Sequence, residues 1–355
     1  MMEYRYLGRS GLKVSALALG TFTFGGRGPF GMLADQQVPE ARALLDLAVE
    51  RGVNLVDTAN MYSLGLSEEI LGQVIAGRRE DLVISSKARM PIGPGPNDGG
   101  SSRQHLLREC ERSLKRLGTD RIDIYHLHEW DGTTPVEETC EAMDTLVRHG
   151  KVRYWGFSNF CGWQAMKLIH AAERLGTIRP VTQQIHYTLE AREAEYELIP
   201  LSVDQGIGVT VWSPLAAGLL TGKHRRDRDP APGSRQANGW TEPPIRDRER
   251  LWRIVDVLTE IAGDRGAPIP QVALAWLLSR PAVASLIVGA RTADQLAETL
   301  GAVDLTLSEE EHGRLDEVSR PTLIYPHWHQ NQFAKPTFSE ADWVLHRGQP
   351  ETPWG

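Results

Sequence analysis

The chain is short of cysteine, of long apolar runs and of excess positive charge, and each shortage removes a class of protein. Its three cysteines, Cys110, Cys140 and Cys161, are odd in number and lack a CxxC pair, which excludes a disulfide framework and a cysteine zinc site and fits a reducing compartment. No apolar stretch approaches the roughly 18 residues of a membrane span. The opening Met1-Met-Glu-Tyr-Arg-Tyr-Leu-Gly8 has no apolar signal-peptide region. A cytoplasmic protein with no membrane partner is expected. The formal charge of −7 supplies no basic stripe for a phosphate backbone, so nucleic acid is not an expected partner and a small molecule is. A GxGxxG turn is also missing. Leu19-Gly-Thr-Phe-Thr-Phe-Gly-Gly26 stands where a doubly wound sheet would carry it.

What is present is alternation. Strand-like runs at residues 15–20, 53–57, 82–87, 122–128, 152–158, 181–187, 208–213 and 285–289 are each followed by an amphipathic stretch. Those stretches lie at roughly 39–51, 67–77, 102–117, 135–149, 162–175, 191–206, 249–278 (interrupted at Pro268 and Pro270) and 292–300. Eight such units predict an α/β protein of the (β/α)8 TIM-barrel class, with Arg9-Ser-Gly11 as the turn of an N-terminal β-hairpin. One barrel domain is expected over residues 1–320. The tail 321–355 has two fates open to it, folding back over the barrel mouth or fraying. Three long connections, 21–38, 91–101 and 222–248, all follow strands, and long loops in a compact domain commonly cover a site.

Four polar residues end or closely follow consecutive strand patterns: Asp57, Tyr62, Lys87 and His128. Singly, each has an ordinary reading: a helix cap, loop packing, a solvated strand end, a barrel-interior imidazole. Together they fall on the rim where parallel barrels do chemistry. A free phenol, with a pKa near 10, is a poor acid at neutral pH. An ammonium beside it favours the phenolate and a carboxylate holds that ammonium charged, so the set reads as a tuned proton donor next to an imidazole.

A competing reading is a zinc hydrolase, since His126 and His128 share one face of a strand. The remaining strand ends, Ser158-Asn159, Gln184, Trp212-Ser213 and Gly289-Ala-Arg291, offer no good zinc ligand, so no metal is expected and His126 reads as interior packing. Those ends suit a large planar polar ligand: amides and a hydroxyl for a carboxamide, and an indole face for stacking. Gly289-Ala-Arg-Thr-Ala-Asp-Gln295 then leads into a helix, where barrel phosphate sites form. Thr292 and Gln295 also have plain capping-box spacing.

With these residues in view, the chain resembles the aldo-keto reductase superfamily from about residue 7 to 318. The motifs are Asp57-Thr-Ala-Asn-Met-Tyr62 with Ser67-Glu-Glu-Ile-Leu-Gly72, Ile84-Ser-Ser-Lys87, Arg121-Ile-Asp-Ile-Tyr-His-Leu-His128, Gly156-Phe-Ser-Asn-Phe160, Trp212-Ser-Pro-Leu215 with Gly218-Leu-Leu-Thr-Gly-Lys223, and Val288-Gly-Ala-Arg291 with Gln295. The resemblance implies reduction of an aldehyde or ketone by NADPH, in preference to NADH. Tyr62 would be the general acid, Asp57 and Lys87 would tune it, and His128 would position the carbonyl. It implies cofactor contacts from Gly20, Thr21, Asp57, Ser158, Asn159, Gln184, Trp212, Ser213, Pro214, Leu215, Gly218, Lys223, Gly289, Arg291, Gln295 and Glu298, with Arg291 on the 2′-phosphate. The family's substrate walls come from its long loops. Here these carry Phe22, Phe24, Phe30, Trp130 and Phe160, and the tail carries Trp328 and Trp343. Phe24, Trp130 and Phe160 are the substrate-pocket candidates, and their rings suggest an apolar or ring-bearing carbonyl compound. Two positions depart from the family pattern: Thr299, where asparagine is common, and Ser63, where glycine is frequent. The alternative within the same resemblance is a cofactor-binding regulatory subunit, of the channel β-subunit kind, with little turnover.

Overall fold

The computed structural model describes residues 1–28, 31, 33–226, 237 and 239–350. Strands β1 (Tyr4–Tyr6) and β2 (Lys13–Ser15) pair antiparallel as the hairpin. Strands β3 (Leu17–Gly20), β4 (Leu55–Asp57), β5 (Val83–Ala88), β6 (Ile122–Leu127), β7 (Val152–Ser158), β8 (Thr182–His186), β9 (Gly208–Trp212) and β10 (Val283–Val288) form one closed parallel barrel, with β10 pairing back onto β3. Around it run α1 (Val38–Glu50), α2 (Leu66–Ile75), α3 (Arg103–Leu117), α4 (Val136–Arg148), α5 (Gly162–Leu175), α6 (Leu198–Gln205), α7 (Arg248–Arg265), α8 (Ile269–Leu278) and α9 (Ala293–Leu300). Three more helices follow among the described residues: α10 (Glu309–Ser319), α11 (His327–Phe333) and α12 (Glu340–His346).

Local chemistry explains the boundaries. The stretch 249–278 is two helices because Gly266, at φ 58°, ends α7, and Pro268 and Pro270 begin α8, where a missing N–H costs nothing. The expected helix over 191–206 is replaced at its start by a 3-10 turn, Glu193–Glu195, and only then becomes α6. Inside the barrel, Gly156 of β7 faces His126 across the ladder, and a Cβ there would stand 2.3 Å from the Thr182 carbonyl oxygen. Strand β7 can close on β8 only with glycine at that point.

The hairpin decides which end of the barrel is open. Leu7 and Val14, both fully buried, pack with Ala18, Leu55, Ile124 and Ala284 against the barrel interior. That plug seals the end where the strands begin, leaving chemistry to the opposite rim. In the tail, α12 packs on α6, Tyr196 stacks on His327 with ring centroids 5.4 Å apart, and the Tyr196 hydroxyl donates to the Thr322 carbonyl. Its described part therefore rests on the helix that follows β8.

Candidate active site

Strands β4, β5 and β6 are neighbours in the barrel, and their registers pair Asp57 with Ser85 and Lys87 with His126. Asp57 and Lys87 thus lie on adjacent strands with both side chains inward, and Lys87 is wholly buried. Its Nζ donates to Asp57 Oδ2 at 2.5 Å, to the Thr58 carbonyl at 2.8 Å and to Tyr62 Oη at 3.4 Å. The other oxygen of Asp57 accepts from Ser85 Oγ at 2.8 Å and Gln184 Nε2 at 3.0 Å. Tyr62 opens a 3-10 turn immediately before α2, and its ring lies 5.9 Å from that of His128, edge to face. The four residues singled out in the sequence therefore meet.

Burial sets their protonation. It is the largest influence on Lys87 and works against its charge, but Asp57 and then Tyr62 outweigh it, so the ammonium pKa is raised. Burial also dominates at Tyr62 and raises the phenol, with Lys87 pulling the other way. The sequence shows only the second influence; in the folded protein the first prevails. His128 is pushed well below the ordinary imidazole range by burial, then by Lys87, His126 and Arg89. It is neutral at physiological pH and offers one N–H donor. His126 points into the barrel, buried to 1% exposure, with Nδ1 3.3 Å from Ser85 Oγ and its pKa lowered to about 3 by burial. Among the described residues no group of three or more His, Cys, Asp or Glu is placed to hold a metal ion.

The strand ends of β7 to β10 lie around this centre. Asn159, at φ 58°, donates from Nδ2 to the His128 carbonyl at 3.1 Å and accepts from Trp212 Nε1 at 3.0 Å. It ties the imidazole strand to the indole. Ser158 Oγ donates to the Gln184 carbonyl at 2.8 Å. Trp212 is half-buried and packs on His186, with ring centroids 4.5 Å apart. After β9, Ser213, Ala216, Ala217 and Gly218 all have positive φ, between 48° and 98°, with Pro214 and Leu215 inside the same turn. Gly20 and Thr21 are buried at the end of β3, and Lys223 is exposed beyond the turn. At α9, Thr292 caps Gln295 N, while Gln295 Oε1 accepts from the Arg291 amide at 3.1 Å. Gly289, Arg291 and Glu298 are exposed there. Gln36 Nε2, from the first long loop, donates to the carbonyls of Ala290 and Arg291 at 2.9 and 3.1 Å and holds this corner of the rim.

Among the loop aromatics, Phe24 is fully buried and Phe160 is 3% exposed, both in the core, while Trp130 is half-buried against Phe160. Phe30 lies outside the described residues. Among the described loop aromatics, Phe22 reaches the centre, edge-on to Tyr62 at 5.2 Å, and Trp240 follows it at 6.5 Å. Sequence reasoning did not find Trp240, His186, Ser85 or Thr58. The first sits mid-loop with no strand to place it. The second is two residues beyond Gln184, on the same face of β8, and alternation could have shown it.

A family model described as "Aldo/keto reductase family" matches residues 16–320. A protein from Arabidopsis thaliana named "Probable voltage-gated potassium channel subunit beta" is 40% identical over 309 residues, covering 86% of this chain and 92% of the relative. One of the same name from Oryza sativa subsp. japonica has the same identity and coverage. "Uncharacterized oxidoreductase YrpG" of Bacillus subtilis is 40% identical over 321 residues, 87% of this chain and 93% of its own. With the barrel, the rim geometry and matches over most of its length, the chain belongs to the aldo/keto reductase family.

Proposed function

We propose that the protein is an oxidoreductase that reduces an aldehyde or ketone to an alcohol with NADPH, in the cytoplasm. The observation that carries this reading is the single buried ammonium of Lys87, shared between Asp57 Oδ2 at 2.5 Å and Tyr62 Oη at 3.4 Å. It gives a phenol at the barrel rim a fixed positive neighbour. The donor set fits a nicotinamide dinucleotide. Asn159 and Gln184 keep an unused N–H and lone pair after their protein bonds, because a primary amide has two of each. Trp212 offers the face not packed on His186. The start of α9, with Arg291 just before it, suits a phosphate.

In the reaction, bound NADPH supplies the hydride. Tyr62 gives its Oη proton to the carbonyl oxygen, which neutral His128 orients through its N–H. A phenol raised by burial holds that proton until it is needed. Lys87, charged because of Asp57, then lies beside the phenolate and stabilises it. Asp57 stays aimed because Ser85 and Gln184 occupy its other oxygen. Purified protein given NADPH and a panel of aliphatic, aromatic and sugar aldehydes is expected to oxidise the coenzyme, and no turnover with any of them would end this reading.

A second reading, a cofactor-binding regulatory subunit with little turnover, is favoured by the names of the two plant relatives. It predicts tight NADPH binding, negligible aldehyde reduction and co-purification with a membrane channel.

A further inference from the structure

The turn that presents Tyr62 is strained and clamped from outside the barrel. Ser63, Leu64 and Gly65 follow the tyrosine with φ of 49°, 53° and 90°, three consecutive left-handed residues of which two have side chains. Such conformations persist only where the surroundings dictate them. Two contacts dictate the first half. Ser63 Oγ donates to the Phe24 carbonyl at 3.0 Å and accepts from Gly26 N at 3.1 Å. Leu64 covers Gly28, where a Cβ would meet its Cγ at 2.9 Å.

The second half is held by a charge cluster that the chemistry above does not use. Glu68, in the first turn of α2, is fully buried. Its Oε1 accepts from Ser86 Oγ at 2.6 Å and its Oε2 from Arg116 Nε at 2.6 Å. Ser86 immediately precedes Lys87 on β5 but points outward, since side chains alternate along a strand. Arg116, on α3, also donates from Nη2 to Glu109 Oε1 at 2.5 Å and to Ser113 Oγ at 3.2 Å, so its position is fixed twice over. Its stem lies against the turn: a Cβ on Gly65 would stand 2.7 Å from Arg116 Cδ. One carboxylate thus joins the strand carrying Lys87 to the helix behind Tyr62, and one guanidinium braces the last residue of the Tyr62 turn.

We propose that Glu68 and Arg116 are positioning residues for Tyr62, locking its left-handed turn against β5 so that the phenol is held beside the Lys87 ammonium. The inference rests on the reading of Tyr62 as general acid and adds what places it. A plain structural cross-link would affect stability alone. A positioning device also moves the ionisation of Tyr62, whose charged surroundings are Lys87, Asp57 and Glu242, and lowers turnover without changing coenzyme affinity.

The test compares Arg116→Ala, Glu68→Ala and Glu68→Gln with wild type at a temperature where all are folded. Two readouts are taken: the tyrosinate ultraviolet titration of Tyr62, as the difference from the same protein carrying Tyr62→Phe, and kcat for an aldehyde beside the NADPH dissociation constant. Expected are a displaced Tyr62 titration and a kcat lower by about 100-fold in both alanine variants, the size of loss that a ~1 Å misplacement produces. NADPH affinity should stay at the wild-type value. Glu68→Gln, which keeps an acceptor for Arg116 and a partner for Ser86, should recover most of both. Wild-type titration and wild-type kcat in folded Arg116→Ala and Glu68→Ala would overturn the proposal. Because Arg116→Ala strands two buried carboxylates and can fail to fold, Gly65→Ala serves as the second variant. It strains the turn at φ 90° and drives a methyl into Arg116 with every charge in place, and an unmoved Tyr62 titration there also overturns the proposal. The titration needs neither coenzyme nor aldehyde. If wild type turns over no carbonyl compound, the function reading fails while the titration still decides the clamp.

Discussion

Asp57→Asn is the most informative single change, because it removes the counter-ion of a fully buried lysine and leaves the shape almost intact. In the wild type, Asp57 is the strongest influence keeping Lys87 charged against burial. Breaking a buried ion pair from one side costs about 3–5 kcal/mol, and here the amide oxygen can still accept from Ser85 and Gln184, so the loss falls on the ammonium. The pH dependence separates this from a general packing defect. The folded pKa of Lys87 is raised, so the stability it contributes is fully present below the unfolded value, about 10.4, and is lost only as pH climbs through the folded value. Wild-type stability from this pair is therefore flat across neutral pH. In the variant, burial is opposed only by Tyr62, and the folded pKa is expected to drop below the unfolded one. The unfolded chain then binds the extra proton, and stability rises with pH by about 1.4 kcal/mol per unit over the window between the two values. Urea unfolding of both proteins at pH about 6, 7, 8 and 9 should show a deficit of about 3–5 kcal/mol at the acid end that narrows toward the alkaline end. A deficit that is constant across the series, or below about 1 kcal/mol throughout, would refute the reasoning about the buried pair.

Three further outcomes follow from the same geometry. His128 should show no ionisation in the ordinary histidine range, so its imidazole signals in NMR, assigned with His128→Gln, should stay in the neutral form through pH about 5.5, one unit below the unperturbed value near 6.5; protonation near that value would contradict it. Trp212→Ala removes a stacking face and leaves Asn159 Oδ1 without its donor, and NADPH affinity should fall by about tenfold, a stacking loss of about 1–1.5 kcal/mol. Arg291→Ala should narrow the preference for NADPH over NADH, and equal loss of affinity for both coenzymes would remove its 2′-phosphate role.

The barrel and its four central residues were legible because parallel strands buried on both faces read as continuous apolar runs, and a polar residue that ends such a run marks the rim. Asp57, Lys87 and His128 were found in that way. Tyr62 is not at a strand end, and its place depends on a turn through left-handed Ser63 and Leu64 that no local preference predicts. The same limit applies to the aromatics. Phe22 and Phe24 stand two apart in one loop, yet one ring meets Tyr62 and the other is fully buried. Only the tertiary course of the loop, pinned by Thr23 to Gln36 and by Gln36 to the residues after β10, decides which. The opposing influences on Tyr62 were also beyond the sequence, because burial is a property of the whole packed rim. The tail helices α11 and α12 are seven residues each, too short for a periodic pattern to stand out.

Whether Tyr62 donates the proton to a carbonyl oxygen is decided by steady-state NADPH oxidation with Tyr62→Phe. With an aldehyde that wild type reduces, kcat should be lower by about 10²–10⁴-fold with NADPH binding unchanged. The same kcat in both proteins would contradict it.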